Sequence, residues 1–115
     1  MEMKVEEVNQ QVTCVRLQGR LDAPNADRIG VPFTAAVSAT GRDAVVDLSG
    51  VDYLASMGIR LLIACARAVA GRGRRMVLFG AQDMVATVLS EAAIDQIIPR
   101  VATRDEALAL VAEPV

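Results

Sequence analysis

Apolar and polar residues alternate over MKVEEV, residues 3–8, which predicts a β-strand, and Asn9-Gln10 behind it fits a hairpin turn. QVTCVRLQG, residues 11–19, predicts a second strand, with Thr13, Val15 and Leu17 toward the core and Gly19 turning the chain. Residues 23–39 are Ala-rich and helical in pattern but contain Gly30 and Pro32. An interior proline costs a helix about 3 kcal/mol. Either the helix kinks there, or a first piece ends near Ile29 and a second starts at Pro32, since a first helical position tolerates proline. DAVVDL, residues 43–48, is short and mostly apolar, as in a central strand. Over residues 56–70, Ile59, Leu62, Ile63, Ala66 and Val69 share one face at helical spacing, Arg60 and Arg67 share the opposite stripe, and Gly71 and Gly73 end the helix. RMVLF, residues 75–79, predicts another buried strand, stopped by Gly80. A helix over 83–91 would turn Met84, Val85, Val88 and Leu89 inward, and Ile97-Ile98 would form a short edge strand closed by Pro99. TRDE, residues 103–106, announces a last helix through a capping box, Thr103 capping the backbone and Glu106 reaching back to it.

The order ββαβαβα(β)α implies right-handed crossovers. The expected fold class is α/β, with a four- to five-stranded mixed, mainly parallel sheet and about four helices. A length of 115 residues suits a single domain, 1–115, and no repeat or linker interrupts it. A hydrophobic content of 53% raises the question of a membrane, but no unbroken apolar run is longer than that of Leu61–Ala66, far short of the roughly 20 residues a span requires. The start, MEMKVEEVNQ, is acidic and lacks the apolar core of a signal peptide. The expectation is a cytoplasmic protein without membrane insertion.

Charge and side-chain chemistry narrow the function. A net charge of −2 and a near absence of aromatics argue against a nucleic-acid surface, so Arg72, Arg74 and Arg75 in GRGRR read as a solvated turn. Cys14 and Cys65 sit in apolar patterns without paired spacing or any histidine, which predicts reduced core thiols and no metal site. The lack of histidine removes the commonest general base, Lys4 is the lone lysine, and neither a phosphate-binding loop nor a dinucleotide fingerprint occurs. No catalytic set and no cofactor is indicated. Asp47 at a strand end invites comparison with a response-regulator receiver. That reading fails because the second strand follows the first directly, and Gly80 and Pro99, not lysine, follow the late strands.

Four pieces in order, GRLD (19–22), VVDLSGVDYLASMGIRLL (45–62), GRRMVLFG (73–80) and TRDEAL (103–108), resemble the STAS domain of sulfate transporters and anti-sigma factor antagonists. The resemblance covers essentially the whole chain. Its most specific part is the strand end DLSGV followed by a serine two before a glycine at the head of a helix. It implies the STAS fold and, for a stand-alone domain, a bacterial anti-sigma factor antagonist. Such a protein binds a serine-kinase anti-sigma factor and frees the sigma factor. The kinase phosphorylates the serine matching Ser56, and a metal-dependent serine phosphatase of the 2C type reverses this. On the residues themselves Ser56 reads as the helix N-cap, whose loss costs about 1 kcal/mol. Capping and phosphorylation are compatible, because a phosphate there meets free amides and the positive end of the helix dipole. The candidate contacts of a partner are Asp22, Ser49, Ala55, Ser56, Met57, Gly58, Arg60 and Leu61, with Met57 and Leu61 as an adaptable apolar pair and the GRLD turn lying near the Ser56 loop. Ala55 stands where switching members commonly carry aspartate, Met57 where Ser or Thr is frequent, and Gly30 with Pro32 falls inside the family's first helix. The first two departures motivate an alternative: an accessory subunit of a lipid-trafficking ABC transporter or of a larger signalling assembly, without a phosphorylation switch. The oligomeric state is left open.

Overall fold

A computed structural model describes residues 1–112. Five strands, β1 (Glu2–Glu7), β2 (Val12–Leu21), β3 (Asp43–Leu54), β4 (Met76–Phe79) and β5 (Arg100–Val101), form one sheet in the order of the chain. β1 is antiparallel to β2, and all other pairs are parallel. The helices are α1 (Ala23–Ser38), α2 (Ser56–Gly71), α3 (Asp83–Glu91) and α4 (Arg104–Ala112), with a 3-10 turn at Ile94–Gln96. This is the expected α/β architecture.

Because each crossover steps the same way across the sheet, α1, α2 and α3 share one face. Their Phe33, Leu62 and Leu89 pack with Val15, Leu17, Val46 and Leu48 of the sheet. α4 covers the other face, where Ala107 and Val111 meet Val12, Cys14, Val45, Val77 and Phe79. Successive residues of β3 thus enter different cores, which is why its first half reads as a mostly apolar run. Thr13, Val15 and Leu17 are buried as the alternation predicts.

Several boundaries differ from the sequence reading. Gly19 does not end β2. It sits at φ +109° beside a register shift against β3, and the strand runs on to Leu21. β3 continues past Leu48 to Leu54, so Ser49 stands in a strand. Beyond Asp47, the last partner of β4, this segment pairs with β2 alone, and Ser49, Asp52 and Tyr53 are exposed. α1 is one continuous helix through Pro32, which faces solvent. Burial of Ile29, Phe33 and Val37 one turn apart, at about 1.5–3 kcal/mol each, outweighs the proline penalty. In α2 the deepest residues are Leu62, Cys65 and Val69, with Ile59, Ile63 and Ala66 on the flank. The nine-residue α3 docks by the narrower stripe Val85 and Leu89, leaving Met84 71% exposed rather than inward. Ile97-Ile98 is no strand. The chain leaves the 3-10 turn there with Ile98 plugged into the core, and the edge strand forms after Pro99, whose carbonyl accepts from Leu78 N at 3.0 Å. Only half of the capping box forms in its usual sense. Glu106 N donates to Thr103 Oγ1 at 3.2 Å, and the Glu106 carboxylate accepts from that hydroxyl at 3.0 Å.

Candidate functional site

The head of α2 is fixed to the ends of β2 and β3. Ala55 N donates to the Leu21 carbonyl at 3.0 Å, which joins the GRLD and ASMG segments as expected. Gly58 makes the close approach possible, since a Cβ there would lie 2.6 Å from Leu21 Cγ. Gly58 is buried beneath the first turn, so it shapes the surface without belonging to it.

Asp22 is the N-cap of α1. Its Oδ1 accepts from Asn25 N at 3.1 Å, and Asn25 Nδ2 donates to the Arg20 carbonyl at 2.8 Å. The Asn25 amide, helped by Arg20, holds the Asp22 carboxyl below the usual range. Arg20 in turn lies 4.2 Å from the centroid of the Tyr53 ring. The sequence reading did not identify this Arg20–Tyr53 stack. Tyr53, the only tyrosine in the chain and next to the Ser56 motif, was the signal for it.

Ser56 is not the cap of α2. Ala55 takes that position in extended geometry, φ −109° and ψ 172°, and its carbonyl already accepts from Ile59 N at 3.1 Å. The helix therefore begins at Ser56, whose side chain is exposed on the first turn. No side chain caps α2, and its first turn holds no acidic residue. Met57 is 43% exposed, with its sulfur 3.9 Å from Arg60 Nη1. Met57, Arg60 and Leu61 form one wall of a groove of about 680 Å³ between α2 and α1. Val31 and Thr34 stand on the α1 wall, with Val31 82% exposed. Gly30 and Pro32, which left a kink or a break open in the sequence, concealed this wall.

The structure thus gathers Asp22, Ala55, Ser56, Met57, Arg60 and Leu61 at one end of the molecule. Ser49 lies apart, about 17 Å down β3 from Leu54 at the usual rise per residue. Its amide donates to Asp47 Oδ1 at 2.9 Å, and its carbonyl accepts from Gln82 Nε2 at 2.8 Å. Both cysteines are buried and unpaired, and burial pushes their thiols up. Among the described residues no cluster of His, Cys, Asp or Glu could hold a metal ion, and no helix is long and apolar enough to cross a membrane.

A family model for the STAS domain matches residues 3–107, and the chain belongs to the STAS domain family. Among solved structures, it is similar to an anti-sigma-factor antagonist (STAS) domain protein from Planctomyces limnophilus, at 26% identity over 96% of this chain and 98% of that one, with a TM-score of 0.83. It shares its fold with an anti-sigma factor antagonist from Mycobacterium paratuberculosis, at 24% identity over 97% and 94% of the two chains and a TM-score of 0.85. The anti-sigma factor antagonist SpoIIAA in its unphosphorylated form has the same fold at 20% identity, 99% coverage of both chains and a TM-score of 0.80. The phosphorylated form of that Bacillus cell fate determinant aligns at 19% identity over 96% and 99% of the chains, with a TM-score of 0.70.

Proposed function

We propose that this chain is an anti-sigma factor antagonist. It binds a serine-kinase anti-sigma factor through the surface at the head of α2, and phosphate on Ser56 turns that binding off. A metal-dependent serine phosphatase of the 2C type restores it. The observation that carries this reading is the exposed Ser56 hydroxyl on the first turn of an uncapped helix, beside exposed Met57.

A phosphate here adds about −1.5 to −2 charge and three acceptor oxygens. It stands by the free amides of the first turn, where the helix dipole favours an anion. Arg60 follows one turn later on the same side, at the i, i+4 spacing that lets charges pair, and it makes no salt bridge with the described residues. No carboxylate in the first turn opposes the phosphate. The fold tolerates the modification while the surface changes sign, so a partner that accepted a hydroxyl beside Met57 meets a dianion.

The test is incubation with the cognate serine-kinase anti-sigma factor and ATP, followed by phosphate mapping by mass spectrometry. Phosphate is expected on Ser56, Ser56→Asp should weaken the complex, and Ser56→Ala should keep it. Phosphate elsewhere or nowhere overturns the switch. An ABC-transporter ATPase recovered as the main partner in a pull-down, with no kinase, would support the accessory-subunit reading instead.

A further inference from the structure

The outer side of α2 carries positive charge that forms no salt bridge among the described residues, although exposed Asp27 of α1 lines the same groove as Arg60. No acidic residue occurs between Asp52 and Asp83. Arg60 and Arg67 are both exposed and seven positions apart, hence about 10 Å along the helix axis. Neither forms a salt bridge with the described residues, whereas Arg16, Arg20, Arg42, Arg100 and Arg104 each do. This row borders the groove between α1 and α2. Arg60 lines the groove directly, and Val31, Met57 and Leu61 give it apolar walls over a bed of small residues that includes Gly30 and Ala35.

We infer that the groove receives an amphipathic helix of a partner protein, laid along α2, with an apolar stripe on Val31, Met57 and Leu61 and acidic residues seven apart against Arg60 and Arg67. Two helices with an open trough between them offer the ridges and groove into which a third helix packs. About 680 Å³ is room for a few large side chains from such a stripe. The arginine spacing points to the class of occupant. A helix aligned with α2 repeats its flank every two turns, so residues i and i+7 meet both cations at once. A small anionic amphiphile has one head group and leaves the second arginine unmatched. A second copy laid antiparallel along α2 would set Arg60 of each against Arg67 of the other, with no acidic residue on α2 to meet them. The complementarity is local, since the chain as a whole has a net charge of −2. Docking of this helix requires no modification of Ser56, and because Arg60 and Met57 serve both surfaces, phosphate on Ser56 would weaken it.

The test uses synthetic helical peptides about four turns long, sharing a leucine stripe and differing only in the flank: glutamate, glutamine or lysine at the two positions seven apart. Each is titrated into the isotope-labelled protein and followed by amide NMR shifts. The glutamate peptide should perturb the amides of α1 and α2 around the groove and bind roughly tenfold tighter than the glutamine peptide, as expected for two exposed ion pairs. The lysine peptide should bind weakest. The double variant Arg60→Glu, Arg67→Glu should reverse that order, a rescue that misfolding cannot mimic, and Ser56→Ala should bind like the parent. Equal affinities, shifts confined to other surfaces, sedimentation showing the groove filled by a second copy, or dodecanoate moving the groove amides where the peptides do not would each overturn the proposal.

Discussion

Replacing Gly58 with alanine adds one methyl group where the head of α2 rests on the sheet. The new Cβ would lie 2.6 Å from Leu21 Cγ, 2.9 Å from the Leu21 carbonyl oxygen and 2.9 Å from Leu54 Cδ1. Leu21 is fully buried, and its carbonyl is held by the Ala55 amide at 3.0 Å, so it cannot retreat without losing that bond. Overpacking of a closed site costs about 1–3 kcal/mol, and two side chains with a carbonyl in the way put this case at the upper end. Against it stands at most about 1 kcal/mol gained from alanine over glycine in a helix. The net loss is about 2 kcal/mol. At roughly 2.1 cal/mol/K of unfolding entropy per residue, that lowers Tm by about 8 °C for a chain of this length. Gly30→Ala is the matched control. It lies inside α1 with nothing within 4 Å of the added carbon, so helix propensity acts alone and Tm should rise by about 2–4 °C. Thermal and urea unfolding followed by circular dichroism compare the two. Gly58→Ala at or above the parent's stability would refute the close-approach reasoning, whatever Gly30→Ala does.

Two further outcomes follow from the same structure. Ala55→Asp should fill the vacant N-cap of α2 and raise stability by about 1 kcal/mol in urea unfolding, whereas Ser56→Ala should change it by less than about 0.5 kcal/mol; the opposite pattern would return the capping role to Ser56. Arg100 donates to both Asp95 oxygens, at 2.9 and 3.1 Å, and holds that carboxyl below its ordinary range. A folded-state pKa below the unfolded one contributes stability above the unfolded value near 4, lost as pH falls through the folded value. The parent's urea midpoint should therefore drop more steeply below about pH 4 than that of Asp95→Asn, and parallel curves would count against the pair.

The element order was legible because burial of one face imposes a period of two or 3.6, and those periods survive in the residues themselves. Misplacements occurred where a local rule met a contact from elsewhere in the chain. The apolar run of β3 stops at Leu48 because only one neighbour remains beyond that point, not because the strand ends. Pro32 argued for a break until Ile29, Phe33 and Val37 anchored the helix on the sheet. Ile97-Ile98 has strand composition, but Ile98 is used as a core plug. At the site, capping preference favours serine over alanine, yet the cap falls where the chain leaves β3, and the Ala55–Leu21 bond fixes that point. The groove could not be read from sequence, since Val31 and Leu61 come to line one groove only through the packing of α1 against α2.

Strand order rises from β1 to β5 without doubling back. In doubly wound α/β sheets, cofactors lie in the crevice that opens where successive helices part to opposite faces. No such reversal separates α1, α2 and α3, which lie side by side on one face of the sheet. What this topology exposes is the outside of those helices. Val31, Met57, Arg60 and Arg67 stand there with little part in the core, and exposed substitutions typically move stability by no more than about 0.5 kcal/mol. Choice of partner is therefore free to drift, one surface residue at a time, under a fold that scarcely registers the change.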